Sequence, residues 1–568
     1  MKKSVLIAGL VAGFALALAA WADKPSDMPP GHTDPDVVLI NGNIHTMDAE
    51  GSIARGVGIR DGRFIEVTNG RPHVGPRTKV IDLQGRTVVP GMIEGHVHFV
   101  SLAIRPGYHV VIENAQSIAE IQAMLAARRA DVPPGQWITA MGGWHPNMFA
   151  EHRLPTLAEL DAAVPDRPVL VFQQFSGPAR TNSLGKAFFE NPPGGPTPTG
   201  LPLLPATVGA DGSMTGLNAT TALYDLRVLQ TFDDKKRSTI DAMRYAASVG
   251  MTAVLDEVGF PDSGPLRPTQ QLSNFDNFRM YDSWLAVHKE GKALIRLQAN
   301  FLHNQNDITL PELTQRLKNQ FQLFGDDMMM TGAIGEWGAP GDGVGDVWLQ
   351  AQRLVGQAGW RNNNRALSLS ALTAEITGYE TINQELIAAG NPDGITKWRW
   401  RIDHVPVVTA ALLDRLQALG GAVQMGAFSY VSGTPATTPR GAPFKTILAH
   451  GIKAGIHLDG VHIAPLNPWF GVYYASTGKN ALGQLINNGE QISREQAVRL
   501  YTRENAWFLN MEDKLGSIET GKLADLAVLN DDYLKVSDEG LKRIGSVLTL
   551  VNGNVVYDSG VVPFDRND

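Results

Sequence analysis

Residues 87–99 read TVVPGMIEGHVHF. Val88 and Val89 open an apolar strand, Pro90-Gly91 pivots it, and the run closes on His96-Val97-His98. Successive side chains of a strand alternate between its faces, so His96 and His98 share one side and can reach one ion. Two imidazoles on one strand face also occur as surface or hydrogen-bonded core residues. Here they close an apolar segment, and a buried segment that ends in two imidazoles must give those groups partners.

The run PGMIEGHVHF resembles the PGxIDxHxH signature of the amidohydrolase superfamily, metal-dependent hydrolases built on a (β/α)₈ barrel. Glu94 stands at the usual aspartate and Gly95 at the variable place. Four further blocks are similar to the YtcJ-like branch, amidohydrolase family 3: GGWHPNMFAEHRLPTLAELDAAVPDRPVLVF from Gly142, GMTAVLDE from Gly250, RIDH from Arg401 and GSIETGKLADLAVLN from Gly516. The resemblance spans nearly the whole chain in the right order. It speaks to fold far more than to substrate.

Outward from this core, Lys2 and Lys3 precede an apolar run from Val5 to Ala19, and Ala20-Trp21-Ala22 supplies an A-x-A cleavage site. These features predict a secretory signal peptide over 1–22, since the run falls short of the ~20 residues that span a bilayer. A periplasmic or secreted protein that leaves the membrane after cleavage is the expectation. With 568 residues, 43% hydrophobic and 19% charged, the chain can build a large core and more than one domain. A formal charge of −8 offers no basic surface for nucleic acid. The absence of cysteine excludes disulfides, thiol nucleophiles and thiolate ligands.

Asp23 to Pro35 reads as a disordered lead. From Asp36, short β runs alternate with turns, and Asn41-Gly42 and Asp61-Gly62 are hairpin signals. ADLAVLN (Ala524 to Asn530) and SVLTLVNGNVVYDSG (Ser546 to Gly560) repeat the style. Both ends are therefore expected to pair in one small β-sandwich, 36–90 plus 511–562. Between them, α/β alternation predicts a TIM-like (β/α)₈ barrel over 91–510. Its expected strands are Val88 to His98, Thr252 to Asp256, Leu294 to Asn300, Ala333 to Glu336, Arg399 to Asp403, Ala422 to Gln424 and Ile456 to Asp459. An insertion at about 101–230, with a helix from Ile118 to Ala130 and a strand from Pro168 to Phe172, would cap the strand ends, where sites in this fold lie.

The resemblance assigns His404 to the histidine of the family's RIEH block, with Asp403 in place of the glutamate. It assigns Asp459 to the strand-end aspartate that orients the attacking water and passes its proton to the leaving group. Two departures stand out. The bridging lysine of the family has no counterpart, Gly335 lying near its place and Glu336 being the nearest replacement. The histidine expected after Gly359-Trp360 is also missing, with Arg365 and Ser368 near the vacant position. A guanidinium cannot ligate a cation, and a neutral hydroxyl is a poor zinc ligand; Arg365 could hold an anionic group of a substrate or be a solvated helix residue. The implied set is His96, His98, His404, Asp459 and Glu336 around one divalent ion, Zn²⁺, with Asp459 and His404 catalytic. Trp144 and His145 are candidate substrate contacts, and His303, His457 and His462 are spare imidazoles. The expected activity is hydrolysis of an amide or cyclic-amide C–N bond in a small molecule. The competing readings are a metal-poor, non-catalytic binder and a changed reaction such as ester or lactone hydrolysis. The oligomeric state is open.

Overall fold

The quoted stretch splits at Gly91 into two strands that belong to different sheets. In this computed structural model the described residues are 33–174, 177–257, 281–434, 441–461 and 463–564. The expected leader, the lead up to residue 32 and His462 lie outside them. Thr87–Pro90 pairs antiparallel with Leu526–Leu529, Val88 opposite Val528, and parallel with Asn43–His45. Met92–Val97 is then β1, the first of the eight strands that form two parallel four-stranded sheets among the described residues. A Cβ at Gly91 would stand 2.0 Å from Thr252 Oγ1, so glycine is what lets the chain pass between the two sheets.

The chain ends pair as one body. A six-stranded sheet contains Thr87–Pro90 with Asn43–His45 and Ile53–Ala54 on one side and three C-terminal strands, Leu526–Leu529, Ser546–Val551 and Asn554–Asp558, on the other. A four-stranded sheet of Val37–Ile40, Gly56–Arg60, Arg63–Thr68 and Lys79–Asp82 shares its apolar core, which includes Leu39, Val57, Ile81, Val88, Leu526 and Leu548. Asp61-Gly62 does form the hairpin turn, with positive φ at both residues. Asn41-Gly42 does not. Val37–Ile40 pairs in the four-stranded sheet and Asn43–His45 in the six-stranded one, so this turn carries the chain between sheets.

The remaining parallel strands are β2 (Met251–Asp256), β3 (Arg296–Phe301), β4 (Met329–Ile334), β5 (Asn363–Ala366), β6 (Arg401–His404), β7 (Ala422–Gly426) and β8 (Ala454–His457). They form two four-stranded sheets, β4-β3-β2-β1 and β5-β6-β7-β8. Ile334 and Asn362 form a parallel bridge between β4 and the entry to β5. The sequence reading lacked β5, because Asn-Asn-Arg-Ala carries no apolar run; its asparagines instead meet buried polar partners. Asn364 donates to Tyr379 Oη and Gln352 Oε1, both at 2.9 Å. The expected Ala333 to Glu336 strand starts earlier, at Met329, and ends at Ile334.

Residues 108–214 form a separate five-stranded sheet with helices, among them Ile118–Arg129, whose N-cap Ser117 accepts from Glu120 N. Its strand Ile138–Gly142 leads into Gly143, where a Cβ would lie 2.0 Å from the Ala464 carbonyl. The insertion thereby abuts the loop that follows Asp459.

On the side where β1 approaches β8, one side chain ties the two sheets. Asn505, just past a π-helical turn at Leu500–Glu504, donates to the carbonyls of Ile93 (2.7 Å) and Ile456 (2.8 Å) and accepts from Ile456 N (3.1 Å). Gly95 and Gly455 leave room beside it for Gln424. Asn505→Ala would strand three buried backbone groups and is expected to cost roughly 2–4 kcal/mol. A clear fall in Tm by circular dichroism is the expected reading, and an unchanged Tm would remove Asn505 from this role.

Candidate metal centre

His96 is the last but one residue of β1, and His98 lies one residue past that strand, at the N-terminus of the short helix Phe99–Ala103. His404 ends β6, His457 ends β8, Glu336 follows β4 by two residues, and Asp459 follows β8 by two. All six are buried. The C-terminal strand ends thus bring into one place residues that are far apart in sequence. His98 Nε2 lies 3.3 Å from Asp459 Oδ1 and 3.8 Å from Glu336 Oε2. His404 Nε2 lies 3.3 Å from Glu336 Oε1 and 3.8 Å from Asp459 Oδ2. His96 Nε2 is 3.8 Å from Asp459 Oδ1 and makes no hydrogen bond among the described residues. Glu336 also has Arg365 Nε at 3.6 Å, so it faces both the imidazoles and an arginine.

The local backbone serves this placement. His404 (φ 73°) and Asp459 (φ 58°) both adopt left-handed conformations, which turn the chain out of its strand and are sparsely populated by residues other than glycine. Glu94, the substitute for the family's aspartate, accepts from Leu458 N at 2.7 Å and so ties β1 to the segment that carries Asp459.

Beneath the imidazoles lies a buried polar layer. His96 Nδ1 is 2.6 Å from Asp403 Oδ2. Asn363 Nδ2 donates to that same oxygen (2.8 Å) and to Glu257 Oε1 (3.1 Å). Arg401 binds Glu257 directly and reaches Asp403 at 3.1 Å, while Asn300 donates to both oxygens of Glu257. This arrangement places a proton on His96 Nδ1 and aims the lone pair of Nε2 at the cluster. The sequence reading named Asp403 but not its role, and it missed Glu257, Asn300, Asn363 and Arg401. The traces of the layer in the sequence were the acidic end of GMTAVLDE and the Arg401 and Asp403 of RIDH.

The electrostatics follow the same geometry. Burial takes His96 down to about 3, keeping it neutral. Burial works in the same direction on His98, but Asp459 and Glu336 outweigh it and push the ring up to about 9. Burial opposes the charge on Glu336, yet His404, His96 and His98 hold that carboxyl below its ordinary range. Asp459 is likewise held well below, against burial, by His98, His96 and His404. A proton on His98 therefore occupies the place a cation would take beside the same carboxylates, and binding of a cation would release it.

The donor set suits a divalent ion. Among the described residues, three side-chain groups have ligand atoms mutually within 4.8 Å: His96/His404/Asp459, His96/His98/Glu336 and His96/Glu257/Asp403. The first two share His96 and its neighbourhood. The third uses the other face of His96, and there the Arg401 guanidinium and Asn363 amide already fill the space between the carboxylates. His457 adds no ligand atom to these groups; its Nε2 lies 3.3 Å from His404 Nδ1 and steadies that ring. His303 accepts from Arg316 Nε at 3.1 Å and serves the wall. Ser368 caps the helix Leu369–Ala388 by accepting from Ala371 N, which removes it from the vacant histidine position. Arg365 is a β5 residue, not a helix residue. Trp144 is buried against Phe149 at 5.8 Å between ring centroids, its indole Nε1 without a hydrogen bond among the described residues. His145 is half-buried and accepts from Asn147 N at Nδ1.

A model of the amidohydrolase family matches residues 79–557. The N-substituted formamide deformylase of Arthrobacter pascens is 22% identical over 558 residues, covering 92% of this chain and 98% of that protein. Among solved structures, an uncharacterized metal-dependent hydrolase from Pyrococcus horikoshii OT3 superposes with a TM-score of 0.53 at 18% identity, over 89% of this chain and 99% of that one. Atrazine chlorohydrolase TrzN from Arthrobacter aurescens TC1, complexed with zinc, gives 0.51 at 14% identity, over 92% and 95%. At these identities the structural likeness speaks to the fold.

Asp403→Asn and Glu336→Gln are each expected to lower divalent-ion affinity ~10- to 100-fold, the first by loosening His96 and the second by removing a donor charge. Chelator competition read together with Tm checks both. Unchanged affinity with a lower Tm would make Glu336 a structural partner of Arg365 alone.

Proposed function

The chain belongs to the amidohydrolase family, and from that membership we propose an exported, metal-dependent hydrolase that cleaves the C–N bond of an amide or cyclic amide in a small molecule. The observation that carries this reading is the convergence of His96, His98, His404, Glu336 and Asp459 at parallel strand ends, with a buried His96 Nε2 that lacks a hydrogen bond among the described residues. We read the two four-stranded sheets as the halves of one (β/α)₈ barrel. The paired chain ends would then be its β-sandwich, and the 101–230 insertion a cap whose Trp144 and His145 contact substrate. The abutment of Gly143 on the loop after Asp459 supports that reading of the cap.

These five residues would hold one ion, with zinc favoured by a set of imidazoles and carboxylates. When bound, a divalent ion supplies Lewis acidity toward a carbonyl oxygen and lowers the pKa of water. The chain's own residues supply the rest. Asp459, held ionised by the surrounding imidazoles, takes a proton from the attacking water at its carboxylate and returns it to the leaving nitrogen. His96 is kept neutral by burial and fixed in one tautomer by Asp403. His404 is held between Glu336 on Nε2 and His457 on Nδ1, which fixes its ring plane. Filling of the lower carboxylate pair by Arg401 supports a count of one ion rather than two.

The test is elemental analysis of the purified protein together with a screen of N-acyl amino acids, cyclic amides and lactones. About one zinc per chain with turnover of an amide is expected, and a protein purified without any divalent ion would sink the proposal. His96→Ala/His98→Ala should lose the ion and the activity while retaining a folded circular-dichroism spectrum. Full metal occupancy in that double variant would overturn the ligand assignment. Export rests on the leader pattern at 1–22, and N-terminal sequencing of protein exported by a Gram-negative host should start at Asp23. A retained Met1 in the membrane fraction would refute it.

A further inference from the structure

A cavity of about 160 Å³ opens between the insertion and the parallel sheets, and none of the residues that line it belongs to the candidate centre. The insertion contributes Gln116, Asn147, Met148 and Phe149. Facing them are Tyr430, in the short helix Ser429–Ser432 after β7, and Phe470, in the helix Pro468–Thr477 after β8. Lys542, the residue that follows the helix Asp538–Leu541 near the C-terminus, also lines the space.

Size and wall chemistry together suit one aromatic ring. A cavity of roughly 150 Å³ accommodates benzene. Tyr430 and Phe470 are buried and stack on one another, with centroids 5.3 Å apart and planes at 19°, and Met148 and Phe149 add further buried apolar surface. Polar groups on the same walls are still available. Tyr430 Oη and the side-chain amide of Gln116 make no hydrogen bond among the described residues. A buried hydroxyl without a partner is costly, and a ligand that brings an acceptor removes that cost.

The charges on the walls select the sign of the ligand. Glu113 is already spent: its Oε1 accepts from Asn467 N at 2.8 Å and from Tyr245 Oη, and its Oε2 accepts from Leu466 N at 2.9 Å. Burial also pushes this carboxyl up to about 7, which weakens its negative charge near neutral pH. Lys542 is less committed. It pairs with Glu539, an acid whose side chain is 65% exposed and screened by solvent, while the lysine itself is only 12% exposed. An ammonium carries three donors, so this pair leaves others for a ligand.

We propose that this cavity is a second ligand site, separate from the metal centre, for a single-ring aromatic carboxylate, with the ring against Tyr430 and Phe470 and the carboxylate on Lys542. Tyr430 Oη and Gln116 supply further hydrogen bonds to it. The proposal is independent of the hydrolase reading, because no residue of the centre takes part.

The test is isothermal titration calorimetry of three probes, benzoate, benzamide and benzylamine, on the full-length protein as purified. Benzoate should bind at one saturable site, about 10-fold more tightly than benzamide, with benzylamine weaker still. Lys542→Met should bring benzoate and benzamide together. Ala481 also lines the cavity, so Ala481→Leu, which fills it, should abolish benzoate binding while the circular-dichroism spectrum stays that of the folded protein. The variant His96→Ala/His98→Ala should bind benzoate as the wild type does. No saturable binding of benzoate, equal or reversed affinities in the wild type, discrimination undiminished in a folded Lys542→Met, or benzoate binding retained in a folded Ala481→Leu would each overturn the proposal. Loss of benzoate binding in the double-histidine variant would place the ligand at the metal centre and overturn it as well. If the Lys542 or Ala481 variant fails to fold, the wild-type order of the probes and the double-histidine variant still decide.

Discussion

The contact between His96 Nδ1 and Asp403 Oδ2 is the point on which the site depends. A buried imidazole can present either nitrogen, and which one carries the proton decides whether the other can donate a lone pair. Asp403 decides it here. Asp403 is in turn fully buried, so its charge needs partners, and it has them in Arg401 and Asn363. Those partners reach Glu257, which draws in Asn300. A chain of buried polar groups from five strands thus ends at one ring nitrogen. Any such network is costly when only partly satisfied, which constrains several strands at once.

Much of the fold was written locally. The apolar run into His96 and His98, the turn residues at Asp61-Gly62, and the strands expected at Thr252 to Asp256 and Arg399 to Asp403 each announce themselves within about ten residues, whereas the strand expected at Ile456 to Asp459 lies two residues earlier, at Ala454–His457. What could not be read was whatever depends on closing one element against another. Strand β5 is the clearest case, since Asn363 and Asn364 look like loop residues until Glu257, Asp403 and Tyr379 are brought beside them. Asn41-Gly42 has the composition of a hairpin turn, yet its flanking strands pair in different sheets. The imidazoles and carboxylates that converge at the candidate centre were named from sequence, whereas the groups packed against them were not. A ligand needs a particular residue type, but a supporting group needs only the right place.

The departures from the family pattern also acquire a physical sense. Where a lysine is absent, Glu336 brings its carboxylate to within 4 Å of His98 and His404. Where a histidine is absent, Arg365 brings a permanent positive charge to the rim. Arg401 likewise fills the lower carboxylate pair. Two fixed cations therefore stand beside carboxylates that could otherwise attract further metal.

The tie made by Asn505 has a temporal side. It joins residues 412 positions apart, and Val88 must likewise wait for Val528 before its sheet can form. Strand β1 leaves the ribosome with neither its sheet partner nor its staple yet made. Contacts of such long range are slow to form and are penalised by chain entropy until nearly the whole chain is present. Assembly is thereby deferred to the end of synthesis, and the early strands spend that interval as exposed apolar edges in need of protection from aggregation.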